Sequence, residues 1–157
     1  MSTMDDTKRR ELIARYEAGY DAVVAALDGA TEAELDALPP DGWSARQVVH
    51  HLADSEMTSA IRLRRLLAED APEIVAYDEE EFARRLFYDR PIEASLEALR
   101  AARRTSAELL HRLGQEAWKR AGTHSEVGTY SVETWLETYA AHGHDHAEQI
   151  RRARSTR

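Results

Sequence analysis

At 157 residues, with 29 acidic against 21 basic side chains and a net charge of -8, the chain reads as one ordinary domain over residues 1–157. The acidic excess argues against a nucleic-acid partner, and the absence of cysteine rules out disulfides, thiolate metal sites and a cysteine nucleophile. No apolar run approaches the roughly 20 residues that span a bilayer, and Met1-Ser-Thr-Met-Asp-Asp-Thr-Lys lacks the charged-then-apolar layout of a secretory signal, so a cytoplasmic protein is expected.

Low Gly and Pro usage and an abundance of Leu, Ala, Glu and Arg point to helices. The first predicted helix runs from about Asp5 to Leu27, with Leu12, Ile13, Tyr16, Tyr20, Val23, Val24 and Leu27 at helical intervals and Gly29 as its stop. A short helix over Glu32 to Ala37 opens on the capping-box pattern Thr31-x-x-Glu34 and ends before Pro39-Pro40. A second capping box, Ser44-x-x-Gln47, opens a helix to about Leu67.

Residues 70–91 form an acidic connector containing Tyr77-Asp-Glu-Glu-Glu81, with a short helix around Phe82 to Phe87. Pro91 suits the first turn of the third long helix, which ends at Gly114. The stretch 115–130 looks irregular, and the last helix starts near Ser131. Arginines interleaved with Glu and Asp at helical spacing read as a solvated, salt-bridge-laced surface. The expected architecture is all-α: a four-helix bundle with short extra helices in the connectors and no sheet in its core. The connector 70–91 exceeds the roughly 2–8 residues of a bundle hairpin. It can run the length of the bundle, which leaves the second and third helices parallel in an up-down-down-up arrangement.

The last helix carries the chemistry. His142 and His146 in Tyr139-Ala-Ala-His-Gly-His-Asp-His146-Ala-Glu-Gln-Ile150 are four apart and share one face. Such a pair can reach one metal ion, as two histidines do in the H-x-x-x-H element of zinc proteases. His146 falls near the inward centre and His142 at its edge, while His144 points to solvent. Gly143 lies in the inward stripe, where it makes room beside the imidazoles or permits close helix approach.

The third imidazole is His50 or His51, between which the helical wheel does not decide. The start of the second helix and the end of the last lie at one level when those helices are antiparallel. His111 and His124 read as ordinary surface and loop residues. Glu108-Leu-Leu-His111 has the E-x-x-H spacing of di-iron bundles, but only one copy is present. The carboxylates of Asp78 to Glu81 read as solvated. Trp118 and Trp135 read as core anchors, and Trp43 as an anchor that can also wall a pocket.

Trp43-Ser-Ala-Arg-Gln-Val-Val-His-His-Leu-Ala-Asp-Ser-Glu56, followed far downstream by Tyr139 to Ile150, closely resembles the DinB/YfiT-like superfamily, most of all its YfiT branch of metal-dependent hydrolases. Pro72-Glu-Ile-Val-Ala-Tyr-Asp-Glu79, Pro91-Ile-Glu-Ala-Ser-Leu96 and Gly128-Thr-Tyr-Ser-Val-Glu-Thr134 are similar in order and spacing. The resemblance implies a four-helix bundle whose three histidines hold a divalent metal, zinc or nickel, with water completing the shell. It selects His51, immediately before Leu-Ala-Asp-Ser, together with His142 and His146. It also implies a homodimer. Ala141 and His144 depart from the near relatives without removing a ligand.

The function expected is hydrolysis of a small-molecule amide or ester by metal-activated water. Asp54, Glu56, Asp145, Glu148 and Gln149 are candidates to orient ligands or act as base. Two alternatives have different signatures. One is a metal-dependent transferase of a low-molecular-weight thiol such as bacillithiol. The other is a metal-binding bundle without turnover.

Overall fold

The computed structural model describes residues 4–40 and 42–157. The first three residues of the stretch read for a secretory signal lie outside the described residues.

α1 (Asp6–Leu27) begins where the Asp5 carboxylate accepts from the Lys8 amide. α2 (Glu32–Asp36) and α3 (Ala45–Ala68) both open on complete capping boxes, Thr31 with Glu34 and Ser44 with Gln47. Each such cap is worth about 1 kcal/mol. Next come β1 (Glu73–Ile74) and α4 (Glu79–Arg85), which starts three residues before the predicted helix. α5 (Glu93–Leu110) has Ile92 as its cap, so Pro91 stands just outside rather than in the first turn. α6 (Gln115–Trp118), β2 (Ala121–His124), β3 (Gly128–Ser131) and α7 (Val132–Arg154) complete the chain. The Ser131 side chain caps α7.

Side-chain pairs fix the helix directions. His50 meets Ser95 near the starts of α3 and α5, and Arg64 meets Ser106 near their ends, so these helices run parallel. Arg9 with Glu133 and Arg154 with the Ala26 carbonyl make α1 and α7 parallel in the same way. The Trp135 indole donates to the Ser59 carbonyl while His51 faces His146, so α3 and α7 are antiparallel. The bundle is up-down-down-up, with the connector after α3 running its length. Among the described residues no helix is long and apolar enough to cross a membrane.

Two expectations are corrected: the irregular stretch 115–130 and the absence of a sheet from the core. Residues 121–131 are not irregular: β2 and β3 form an antiparallel hairpin, and β1 pairs with β2 in parallel, Glu73 beside Thr123 and Ile74 beside His124. This three-stranded sheet closes one end of the bundle and contributes Ile74 and Tyr130 to the core. Gly122 makes it possible, because a Cβ there would collide with the Pro72 carbonyl oxygen.

The core is divided. One apolar cluster, around Tyr16, Leu63, Trp135 and Leu136, lies towards the sheet; the other, around Val23, Val49, Leu52 and Ile150, fills the opposite end. Glu56, Ser59, Arg103 and Ser106 are buried polar residues that neither cluster includes. Arg103 on α5 sits at their centre. It donates to the Tyr16 carbonyl on α1 and, at 3.2 Å, to the Tyr139 carbonyl on α7, and its Nε lies 3.1 Å from Glu56 on α3. The reading of every arginine as solvated is thereby corrected, since Arg9, Arg46 and Arg103 are all buried and charge-paired.

Two glycines permit this packing. A Cβ on Gly143 would lie 3.1 Å from the Gly19 Cα, so α1 and α7 touch backbone to backbone. A Cβ on Gly19 would strike the Arg103 guanidinium, which its three partners hold in place. Gly19→Ala is therefore expected to destabilise the fold by about 1–3 kcal/mol, despite alanine's better helix propensity. Urea denaturation of the variant measures this.

Candidate metal centre

α7 places His142 above His146 one turn apart, and α3, running the other way, brings His51 to the same level. Their ring centroids are 4.5 Å apart for His142 and His146, 4.8 Å for His51 and His146, and 5.6 Å for His51 and His142. One nitrogen from each lies within 4.8 Å of the other two. Tyr139 packs edge-on against His142, and Trp43 packs in the same manner against His51.

The hydrogen bonds suit a cation at this point. The Gln149 amide oxygen lies 2.6 Å from His146 Nδ1, so that nitrogen carries the proton and Nε2 is left with a bare lone pair. This lone pair faces His142 Nε2 at 3.2 Å. Two nitrogens on one tetrahedral ion sit about 3.4 Å apart, so the α7 pair already has the spacing that coordination needs. His51 is buried, and its Nδ1 has no hydrogen-bond partner. A buried ring nitrogen is rarely left in that state without a ligand to meet it. The donor set is three imidazoles, which suits a divalent transition-metal ion.

Burial keeps all three rings neutral. It lowers His142 to about 2, helped by His146 and His51, and His51 to about 4, helped by His146. It lowers His146 as well. Below the ordinary value of 6.5 the unfolded chain takes up protons that the folded chain refuses, so stability falls with acid. The metal-free protein is expected to lose stability as the pH drops from 6.5 towards 4. His142→Leu should flatten that loss, as measured by urea denaturation at pH 7.5 and pH 5.

The other histidines lie outside the cluster. His50 is fully buried one residue away and faces α5, with Nε2 donating to the Arg90 carbonyl at 2.9 Å and Nδ1 2.7 Å from the Ser95 hydroxyl. His144 bonds the Arg15 carbonyl on α1. His111 pairs with Glu17 at the surface, and His124 lies in β2 rather than in a loop.

Of the five candidates for ligand orientation, Gln149 alone bonds a cluster histidine. Asp54 accepts from the Tyr88 hydroxyl, Glu56 from the Tyr16 hydroxyl, and Glu148 from Arg151. The cluster opens into a cleft of about 460 Å³ that includes Trp43, His51, His146 and Gln149. Glu79 and Glu80 of α4 also line it, and both are solvent-exposed, in keeping with the sequence reading.

The family model described as DinB superfamily matches residues 15–150. The chain belongs to the DinB superfamily. Within the superfamily it is 40% identical over 109 residues to a protein of Oceanobacillus iheyensis named as a candidate metal-dependent hydrolase, a match covering 69% of this chain and 63% of that one. A Halalkalibacterium halodurans protein of the same designation is 30% identical over 113 residues, covering 72% and 66%. The matched stretch thus spans just under two thirds of these relatives' lengths. The structure is similar to YfiT from Bacillus subtilis, described as a probable metal-dependent hydrolase with an unusual four-helix bundle topology. That likeness has a TM-score of 0.91 at 29% identity, over 98% of this chain and 89% of YfiT.

Proposed function

We propose that this DinB-superfamily chain is a metal-dependent hydrolase of small-molecule amides or esters, with His51, His142 and His146 holding one divalent ion, zinc or nickel. The observation that carries this reading is the convergence of three neutral imidazoles, two of which, His51 and His146, line an open cleft, with His146 fixed in its tautomer by Gln149. Three histidine ligands leave a position for water or substrate, which a closed structural site does not. When bound, the ion supplies Lewis acidity and lowers the pKa of its water towards 7.

The protein supplies the rest. Gln149 holds the His146 ring so that Nε2, not Nδ1, faces the cluster. Trp43 and Tyr139 brace the His51 and His142 rings from the side, which limits their rotation. Arg103 ties the backbone at Tyr139, one turn before His142, to the centre of the bundle. The ligands therefore sit on rigid helices, and only the cleft above them is open.

The reading is tested by loading the metal-free protein with zinc or nickel and measuring both metal content and turnover of an activated-ester and arylamide panel. One ion per chain, with hydrolysis that appears on metal addition and is indifferent to added thiol, is the expected result. Turnover only when a low-molecular-weight thiol and an electrophile are both supplied would establish the transferase instead.

A further inference from the structure

Three consecutive carboxylates open α4, and they are used differently. Glu81 forms ion pairs with both Arg84 and Arg85. Among the described residues Glu79 and Glu80 have no such partner, and both line the cleft above the histidines. Their neighbours do not neutralise them. Arg62 acts on Glu79 electrostatically without forming an ion pair with it, its guanidinium bonding the Tyr139 hydroxyl and the Val75 carbonyl, while Glu80 and Glu126 add negative charge.

The same cleft carries an indole. Trp43 is packed edge-to-face on His51 and also against Tyr88, which fixes the indole at the cleft. No Lys or Arg is among the described residues that line this cleft. His51 and His146 line the same cleft, so the candidate metal centre opens into it. An indole lining the same cleft as unpaired carboxylates attracts organic cations: the ring quadrupole and the two charges act in the same direction.

We propose that this cleft selects substrates carrying a positively charged organic group, an alkylammonium or quaternary ammonium, held between Trp43 and the carboxylates of Glu79 and Glu80. The amide or ester bond then lies over His51 and His146. This specificity rests on the hydrolase reading above. A substrate of this kind is bifunctional, with a neutral acyl group for the histidine end and a cation for the rim. Anionic ligands are disfavoured by the same two carboxylates.

The test uses full-length metal-loaded protein and three hydroxamic acids of equal chain length, ending in trimethylammonium, in the isosteric tert-butyl group, or in carboxylate. Calorimetry is expected to show the cationic hydroxamate binding about tenfold tighter than the neutral one, with the carboxylate weakest. In Glu79→Gln/Glu80→Gln the three affinities should converge. Equal affinities in the wild type, or a cationic preference that survives the double substitution, would overturn the proposal while leaving the metal site standing.

A second readout needs no metal. Trp43 is the one tryptophan that is not buried, so quenching of tryptophan fluorescence reports on the cleft. In metal-free protein N-methylpyridinium should quench more strongly than iodide, and the double substitution should erase the difference. Because the net charge of -8 alone favours the cation, it is the loss of that difference in the double substitution that supports cation recognition, even if no hydroxamate binds, a result that would overturn the hydrolase reading alone. Equal quenching by the two ions would overturn the recognition proposal.

Discussion

Replacing His142 or His146 with alanine is expected to abolish tight metal binding, weakening it by more than about 100-fold, while His144→Ala leaves it close to that of the parent. The first two imidazoles face each other at 3.2 Å and share the place where the ion belongs, whereas His144 is turned to the Arg15 carbonyl. His51→Ala should behave like the α7 variants. His50→Ala separates ligand loss from general damage: it should retain metal but destabilise the fold by about 1–3 kcal/mol, because Ser95 and the Arg90 carbonyl lose their buried partner. Competition with a chromogenic chelator measures the affinities. Metal bound as tightly by His142→Ala as by the parent would remove the ligand assignment and the mechanism built on it.

The second large effect lies at the bundle's centre. Arg103→Met should destabilise the protein by about 3–5 kcal/mol, since it leaves Glu56 charged and buried without its counterion. In a domain of this size that is a fall in Tm of about 10 °C. Burial already pushes the Glu56 carboxyl upward against the pull of Arg103. Without the guanidinium it rises further and takes up a proton on folding, so the variant's deficit should be smaller at pH 5 than at pH 8. Adding Glu56→Gln should recover part of the loss at pH 8. A melting temperature unchanged by Arg103→Met would mean that the four-helix tie contributes nothing.

Local signals in the sequence proved the most legible. The capping boxes at Thr31 and Ser44 mark helix starts to within a residue, because a capping box is chemistry between residues three positions apart, and the starts read near Asp5 and Ser131 fall equally close. The length of the connector 70–91 was enough to predict the parallel α3 and α5. The hairpin at 121–131 was not visible, since strands of four residues carry too little alternation and this pair depends on a distant backbone at Pro72. The i,i+4 spacing exposed His142 and His146 directly.

His50 and His51 differ by only about 100° on a helix, and both turn out to be buried, so periodicity had no means to separate them. What separates them is which neighbour each faces, α5 for one and α7 for the other. Arg103 was missed for a related reason. A long charged residue at a core position looks the same in sequence as one at the surface, until Gly19 is seen to make room for it. Glu79 and Glu80 depend on where the connector runs, which no local pattern specifies.

On the reading proposed above, that connector puts the ligands and the selectivity on different stretches of chain. The three histidines belong to α3 and α7, whose packing is fixed by Arg103, the paired glycines and two apolar clusters. Glu79 and Glu80 belong to a short helix with no buried residue of its own, laid across the outside of the bundle. A lineage can therefore redraft this one segment, in charge, length or shape, and acquire a new clientele while every imidazole stays where it was. The bundle works as a chassis, and the segment between α3 and α5 as its interchangeable faceplate.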